Sequence, residues 1–174
     1  MYCTGSPTER FSMIARYATL AAFLALVVLA AAIGASFEAG DWYFHKLNKP
    51  DWTPPPWLFG PVWSVLYVMM ALAAWKVWLT GHYSRIAALS WWALQLVMNV
   101  AWSWLFFGLE RPGWAWLEMS ILIVVVVLCI RAFHYLSKPA AQLMVPYLLW
   151  LIFAWALNLV IWTMNRGFFS KFFM

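Results

Sequence analysis

Charged residues occur at wide intervals along the chain and separate long apolar segments. Four stretches carry no charge at all, at residues 17–37, 52–75, 86–109 and 139–165. A fifth, residues 112–130, contains a single charge, Glu118. A helix needs about 20 predominantly apolar residues to cross a bilayer. The pattern therefore predicts five transmembrane helices, at about 15–37, 57–79, 86–107, 113–134 and 140–164.

The composition also favours membrane helices. Hydrophobic residues make up 66% and charged residues 10% of the chain, whereas about 25% of an ordinary soluble domain is charged. A bilayer offers the backbone no hydrogen bonds, which requires helices or closed barrels, and no segment alternates as a barrel strand does. The expected fold is an all-α integral membrane protein, a five-transmembrane-helix bundle forming one domain over residues 1–174.

Two features of the topology stay open at this stage. The first apolar segment follows Arg10 and Arg16 and ends in small residues, as a cleaved signal peptide does. It is, however, longer than the roughly 7–15 residues of a signal-peptide core. Six Lys and Arg residues lie on the amino-terminal side of the predicted membrane and five on the other. This small difference favours an amino terminus in the cytoplasm.

The net charge of +5 indicates membrane lipid, and not nucleic acid, as a partner. It is spread over the predicted helix ends, which is typical of anchoring to anionic headgroups. Cys3 and Cys129 lie far apart, as do His45, His82 and His134, so no disulfide, metal site or haem ligation is expected. Neither a hydrolytic triad nor a phosphate-binding loop is visible, and no cofactor is predicted.

Polar side chains within the predicted spans have two interpretations. Gln95 and Asn99 share one face of the third helix, and Asn158 lies in the fifth. Such residues either join helices by hydrogen bonds or line a cavity. Glu118 either faces the bundle interior or an aqueous pocket, or reaches the membrane surface in a structural role. Tryptophans near predicted helix ends indicate an aromatic belt; these are Trp75, Trp78, Trp91, Trp92, Trp102, Trp104, Trp114 and Trp116.

The loop before the second helix has an unusual composition. Residues 47–63, LNKPDWTPPPWLFGPVW, contain five prolines and three tryptophans, which limits conformational freedom and offers flat apolar faces. This block, LQLVMNVAWSWLFFGLERPGWAWLEM and PYLLWLIFAWALNLVIW follow one another along the chain. In order and spacing they resemble the signature of the TspO/MBR family of tryptophan-rich sensory proteins and translocator proteins, the peripheral benzodiazepine receptor group. The resemblance extends from about Trp42 to Asn165.

The resemblance implies a five-helix bundle, commonly a homodimer, with a pocket at one membrane face. The loop of residues 38–56, called the lid loop below, would close that pocket. Family members bind porphyrins, notably protoporphyrin IX, and synthetic isoquinoline and benzodiazepine ligands. The implied function is a tetrapyrrole sensor or transporter that binds porphyrin or another planar hydrophobic molecule. The alternatives are an enzyme that degrades porphyrin in light and a structural membrane subunit whose tryptophans only anchor it.

Matching positions in the family motifs imply the site residues. Trp63 in FGPVW and Trp150 in PYLLW match the tryptophans that face the pocket from helices two and five. They would be the catalytic pair if the protein degrades porphyrin. The other ligand contacts implied in the helices are Phe59, Gly60, Val62, Asn99, Trp102, Trp114 and Ala154. In the lid loop they are Trp42, Tyr43 and Trp52.

The chain departs from the family pattern in two places. The lid loop has one residue more than usual between Tyr43 and Leu47, so Tyr43 and Phe44 can take the places of the usual Trp-Tyr pair. The cholesterol consensus of animal members requires a tyrosine followed closely by Lys or Arg late in helix five, and none occurs here. Cholesterol binding is therefore doubtful, and a bacterial cell membrane is the expected location.

Overall fold

The computed structural model describes residues 7–37 and 39–165, with side chains from residue 13 onward. Its five long helices are α1 Pro7–Ala35, α2 Pro56–Leu79, α3 Arg85–Ser103, α4 Pro112–Leu136 and α5 Lys138–Met164. All five contain segments long and apolar enough to cross a membrane. The predicted all-α fold with five transmembrane helices is therefore confirmed. Cys3, and Glu38 at the start of the predicted lid loop, lie outside the described residues.

Proline and glycine mark several helix boundaries. Pro56 and Pro112 open α2 and α4, where the missing N–H of proline costs no hydrogen bond. Gly81 has a φ of 65° in the turn between α2 and α3, a left-handed conformation that glycine adopts at little cost. Ser137 alone separates α4 from α5, and its hydroxyl oxygen accepts a hydrogen bond from the Ala140 N–H at 3.4 Å.

The five helices form a closed ring. Around the ring the order is α1, α2, α5, α4 and α3, and α3 returns to pack against α1. Small residues allow close approach at the contacts between helices, as is common in membrane bundles. Ala71 and Ala74 of α2 are fully buried, and a Cβ placed on Gly34 of α1 would lie 3.4 Å from the Ser103 hydroxyl of α3.

Two buried apolar clusters lie toward the two ends of the bundle. The larger one includes Met70, Leu122, Phe133 and Tyr147, toward the turns that join α2 to α3 and α4 to α5. Trp92, expected in an aromatic belt, is instead buried there, and its indole N–H is satisfied by the Met70 carbonyl at 3.1 Å. The smaller cluster joins the lid loop to the other ends of the helices and consists of Trp42, Leu47, Phe106, Ala115, Leu157 and Ile161.

Two π-helical segments face each other beside the smaller cluster. One is Trp42–Lys46 in the lid loop, and the other, Trp104–Gly108, continues α3. The Trp42 ring meets Phe106 edge to face at 5.7 Å between centroids, and the Tyr43 ring meets Phe107 at 5.6 Å. These contacts fix the lid loop over the end of α3.

Candidate ligand-binding cavity

A cavity of about 530 Å³ opens within the ring, between the lid loop and the larger buried cluster. All five helices and the lid loop contribute to its wall, and none of the described lining residues is charged. Eight of the residues implied by the family motifs line it, namely Tyr43, Phe59, Gly60, Trp63, Asn99, Trp102, Trp150 and Ala154.

The other four implied contacts lie outside the cavity lining. Trp42 is only 5% exposed and packs into the smaller cluster, and Val62 packs against the larger one. Trp52 lies 5.9 Å from Phe153 between ring centroids and is half exposed. Trp114 is 53% exposed, whereas its neighbour Ala115 is fully buried, because successive residues of a helix point about 100° apart. The structure therefore does not bring these four side chains into the cavity.

Aromatic rings form much of the cavity wall. On one side Trp63 lies 5.4 Å from Tyr67, with the two rings inclined by 34°. Phe59 meets Trp150 edge to face at 5.8 Å. Trp102 stacks on Phe106 at 5.0 Å and 21°. Rings held in this way by other rings present fixed apolar faces, which suits a flat aromatic ligand.

Neutral polar groups form the inner end of the cavity. The Tyr67 hydroxyl donates to the Asn99 side-chain oxygen at 2.9 Å, and the Asn99 amide nitrogen donates to the Tyr147 hydroxyl at 3.3 Å. These hydrogen bonds join α2, α3 and α5. Asn99 thus both joins helices and lines the cavity, so both interpretations predicted for it apply.

The lid loop is hydrogen-bonded to the end of α5. The backbone N–H of Asn48 donates to the Asn165 side-chain oxygen at 3.0 Å, and the Asn165 amide nitrogen donates back to the Asn48 carbonyl at 2.9 Å. Asn165 is 4% exposed and also donates to the Ile161 carbonyl at 2.7 Å. The lid-loop residues Tyr43 and Phe44 line the cavity, so Asn165 helps to hold one wall of the site in place.

Comparison with known proteins identifies the family. The family profile described as TspO/MBR matches residues 21–163. The chain belongs to the TspO/MBR family. It is 39% identical to the tryptophan-rich protein TspO of Chlorobaculum tepidum, over 84% of this chain and 96% of that protein. It is 37% identical to the translocator protein of Bos taurus, over 83% and 88%, and 35% identical to protein CrtK of Rhodobacter capsulatus, over 84% and 92%.

Membership of the TspO/MBR family and five helices able to span a bilayer make this a multi-pass membrane protein. Its lipid-facing surface is correspondingly apolar. Leu26 and Leu29 of α1 and Val97 of α3 are exposed and border a second, shallower groove of about 360 Å³ between these helices.

Three other polar residues of the predicted spans in this TspO/MBR protein, Gln95, Glu118 and Asn158, do not line the cavity. In the orientation that satisfies its neighbours, the Asn158 amide donates to the Pro112 carbonyl at 3.0 Å. Its side-chain oxygen then accepts from the Trp116 backbone N–H at 3.1 Å and from the Trp102 indole N–H at 3.3 Å. The Gln95 amide nitrogen contacts the Met70 sulfur at 3.6 Å. Both Glu118 carboxylate oxygens are buried without a hydrogen-bond partner among the described residues.

Several lining residues were not predicted from the sequence of this TspO/MBR protein. Tyr67 follows Trp63 by four positions and therefore shares its helix face, a signal that could have identified it. Phe107 lies in the π-helical segment, where the 3.6-residue period no longer tells which side chains face inward. Nothing in the local sequence around Asn165 indicates that it pairs with the lid loop.

Proposed function

We propose that this TspO/MBR protein binds porphyrins, protoporphyrin IX among them, and related planar apolar ligands, and acts as a tetrapyrrole sensor or transporter. The observation that carries the proposal is the cavity itself, with Trp63, Trp102 and Trp150 in its wall and no charge among its described lining residues. Its volume of about 530 Å³ lies within the usual range of small-molecule sites, about 300–1,000 Å³. Binding would rest on stacking and apolar contact.

The names of the relatives agree with a sensing or transporting role. Besides the translocator protein of Bos taurus, the chain is 37% identical to the tryptophan-rich sensory protein of Cereibacter sphaeroides. These names describe those proteins and support the same class of function here. Cholesterol is not included in the proposal, since the chain lacks the consensus of animal members.

A titration of the reconstituted protein tests the proposal. The protein is placed in phosphatidylcholine nanodiscs, protoporphyrin IX is added, and the shift of the porphyrin absorption band is followed. Empty nanodiscs of the same composition correct for partition of the porphyrin into lipid. We expect saturable binding with one site per chain. A signal that rises without saturation and equals that of empty nanodiscs would contradict the proposal.

A second candidate function is light-dependent degradation of the bound porphyrin. Trp63 and Trp150 line the same cavity, so two oxidisable indoles would lie against one ligand. This arrangement supports a photo-oxidation in which dissolved dioxygen is the oxidant and these tryptophans take part. Replacement of Trp63 and Trp150 by phenylalanine separates the two functions.

We also propose that the protein resides in a bacterial cell membrane as a homodimer. The homodimer is proposed because members of the family are commonly homodimers. The groove between α1 and α3 offers apolar surface for a second copy. Cysteine introduced at Val97, which is 67% exposed, should form a crosslinked dimer in native membranes. Cysteine at Val124 of α4, which is 56% exposed, is the matched control and should not. Equal crosslinking at the two positions would contradict this interface.

A further inference from the structure

Charged side chains are distributed unequally between the two ends of the bundle. Among the described side chains, the end with the lid loop carries both signs, namely Asp41, Asp51, Glu110, Lys46, Lys49 and Arg111. Glu118, in the first two turns of α4, belongs to the same half. The other end, where α2 turns into α3 and α4 into α5, is called the basic end below. The described charged side chains there are all cationic: Arg16, Lys76, Arg85, Arg131 and Lys138.

One of these cations, Arg131, lies within the membrane-spanning part of α4. It is exposed and precedes the end of the helix at Leu136 by five residues, or about 7.5 Å at 1.5 Å per residue. Val124 and Leu128 precede it by seven and three positions and share its helix face. Both are lipid-facing, with 56% and 37% of their surface exposed. Arg131 therefore extends from an apolar strip, and its guanidinium must reach toward the headgroups.

Two polar side chains lie at the membrane surface next to this strip. Tyr135 follows Arg131 by four positions, on the same side of α4. Its ring meets that of His82, in the turn between α2 and α3, edge to face at 5.8 Å between centroids. The His82 Nδ1 accepts a hydrogen bond from the Ser84 N–H at 3.1 Å, so the proton of the neutral ring lies on Nε2. The His82 Nε2–H and the Tyr135 hydroxyl are thus two donors on the side of α4 that carries Arg131.

Arg131 has neither an acidic partner nor a hydrogen-bond acceptor among the described residues. The ion pair found there within 4.0 Å joins His45 to Asp41, at the opposite end. Arg85 differs, because its guanidinium donates to the Trp78 carbonyl at 3.3 Å and lies 4.3 Å from the centroid of the Trp78 ring. A cation at the edge of the hydrocarbon region is costly without a partner. The phosphate group of a phospholipid is the anion that a bilayer supplies at this depth.

We propose that Arg131, Tyr135 and His82 bind the headgroup of one anionic phospholipid, whose acyl chain lies along Val124 and Leu128. In this arrangement the guanidinium binds the phosphate by two parallel hydrogen bonds, and His82 and Tyr135 donate to other headgroup oxygens. The positive charge of the basic end favours an anionic lipid over a zwitterionic lipid with the same phosphate. None of these five residues lines the ligand cavity, so the inference does not depend on the proposed function.

Native mass spectrometry of the full chain in mild detergent tests this site. Phosphatidylglycerol and phosphatidylcholine with the same acyl chains are titrated separately, and the lipids bound per chain are counted. Glycerol phosphate, which has the anionic phosphate but no acyl chain, is added as a competitor. The variants are Arg131→Gln, Arg131→Lys and Lys76→Gln. Lys76 is the matched control, because it is an exposed cation of the basic end on α2, which is not a neighbour of α4 in the ring.

We expect wild type to bind one phosphatidylglycerol per chain, more tightly than phosphatidylcholine, and to keep it in the presence of glycerol phosphate. Arg131→Gln should weaken phosphatidylglycerol binding about fivefold, the effect of one basic side chain near an anionic membrane surface. Arg131→Lys should keep most of the affinity, and Lys76→Gln nearly all of it.

Three results would overturn the proposal. Equal losses in Arg131→Gln and Lys76→Gln would mean that the lipid responds only to the total charge of the basic end. Equal affinity of wild type for the two lipids, or unchanged binding in Arg131→Gln, would show that no selective site exists at Arg131. Displacement of phosphatidylglycerol by an equal concentration of glycerol phosphate would identify a soluble phosphate as the occupant.

Discussion

The side-chain amide of Asn165 exchanges two hydrogen bonds with the backbone N–H and C=O of Asn48, at 3.0 and 2.9 Å. The Asn165 side chain thus both accepts from and donates to the backbone of one residue, as the backbone of a neighbouring β-strand does. The pair connects the middle of the lid loop to the end of α5. Leu47, next to it, is buried in the same cluster as Ile161, so apolar packing and hydrogen bonds hold the loop at one place.

Asn165→Ala should release this part of the lid loop. It removes three hydrogen bonds, each worth about 1 kcal/mol. We expect trypsin to cleave after Lys46 severalfold faster than in wild type, because the exposed conformation is more populated. Asn48→Ala is the matched control, since Asn48 uses only its backbone in the pair. Equal cleavage rates in Asn165→Ala and Asn48→Ala would contradict the role given to this tether.

Gly60→Leu should block the cavity without unfolding the bundle. A Cβ built on Gly60 meets nothing within 4 Å, and Gly60 lines the cavity. A leucine there occupies space that the ligand needs, so protoporphyrin binding should weaken by roughly tenfold or more while the thermal midpoint stays within a few degrees. Gly40 also has open space around its Cβ position but does not line the cavity. Gly40→Leu should therefore bind normally, and normal binding by Gly60→Leu would place the ligand elsewhere.

Replacement of Trp63 and Trp150 by phenylalanine separates binding from degradation. A ring that only stacks on the ligand contributes about 1 kcal/mol beyond its buried area, and phenylalanine keeps much of that area, so both single variants should still bind porphyrin. If the indoles take part in photo-oxidation, loss of the porphyrin absorption band under illumination should slow sharply, because a phenyl ring is much harder to oxidise. Degradation at the wild-type rate in the double variant would exclude the enzymatic alternative and leave a sensor or transporter.

Asn158→Leu should destabilise the bundle at the start of α4. The Asn158 amide nitrogen donates to the Pro112 carbonyl at 3.0 Å, and its oxygen accepts from the Trp116 backbone N–H at 3.1 Å and from the Trp102 indole N–H. Loss of these partners should cost about 1–3 kcal/mol, seen as a lower midpoint in thermal unfolding in detergent. Thr163→Val is the control, since Thr163 is exposed and bonds only to Val160 within its own helix. Similar midpoints for the two variants would contradict this account.

The five spans could be predicted because bilayer thickness sets the spacing of charges along such a chain. The shared face of Gln95 and Asn99 also followed from helical periodicity, and both side chains are buried. The tether between Asn48 and Asn165 could not be predicted in this way. Its partners are 117 positions apart, and one of them contributes only its backbone, so no local pattern of side chains marks the pair.

Motif matching selected eight residues that line one cavity, but it did not give the direction of each side chain. Trp63 and Trp150 line the cavity, whereas Trp114 faces outward from the same bundle. A one-residue difference in register turns a helical side chain by about 100°. The π-helical segment Trp104–Gly108 changes the register further and turns Phe107 into the cavity while Trp104 stays exposed. Such local changes of helical period depend on tertiary packing, which sequence spacing does not record.

The separation of Asn48 from Asn165 also bears on how the protein is assembled during synthesis. The lid loop leaves the ribosome long before α5, and α5 closes the ring between α2 and α4. Until then the bundle lacks the wall that carries Trp150 and Ala154, and the lid loop has no Asn165 to pair with. A nascent chain therefore has no enclosed cavity until its fifth helix inserts. Ligand can be held only by a chain that has completed its membrane insertion.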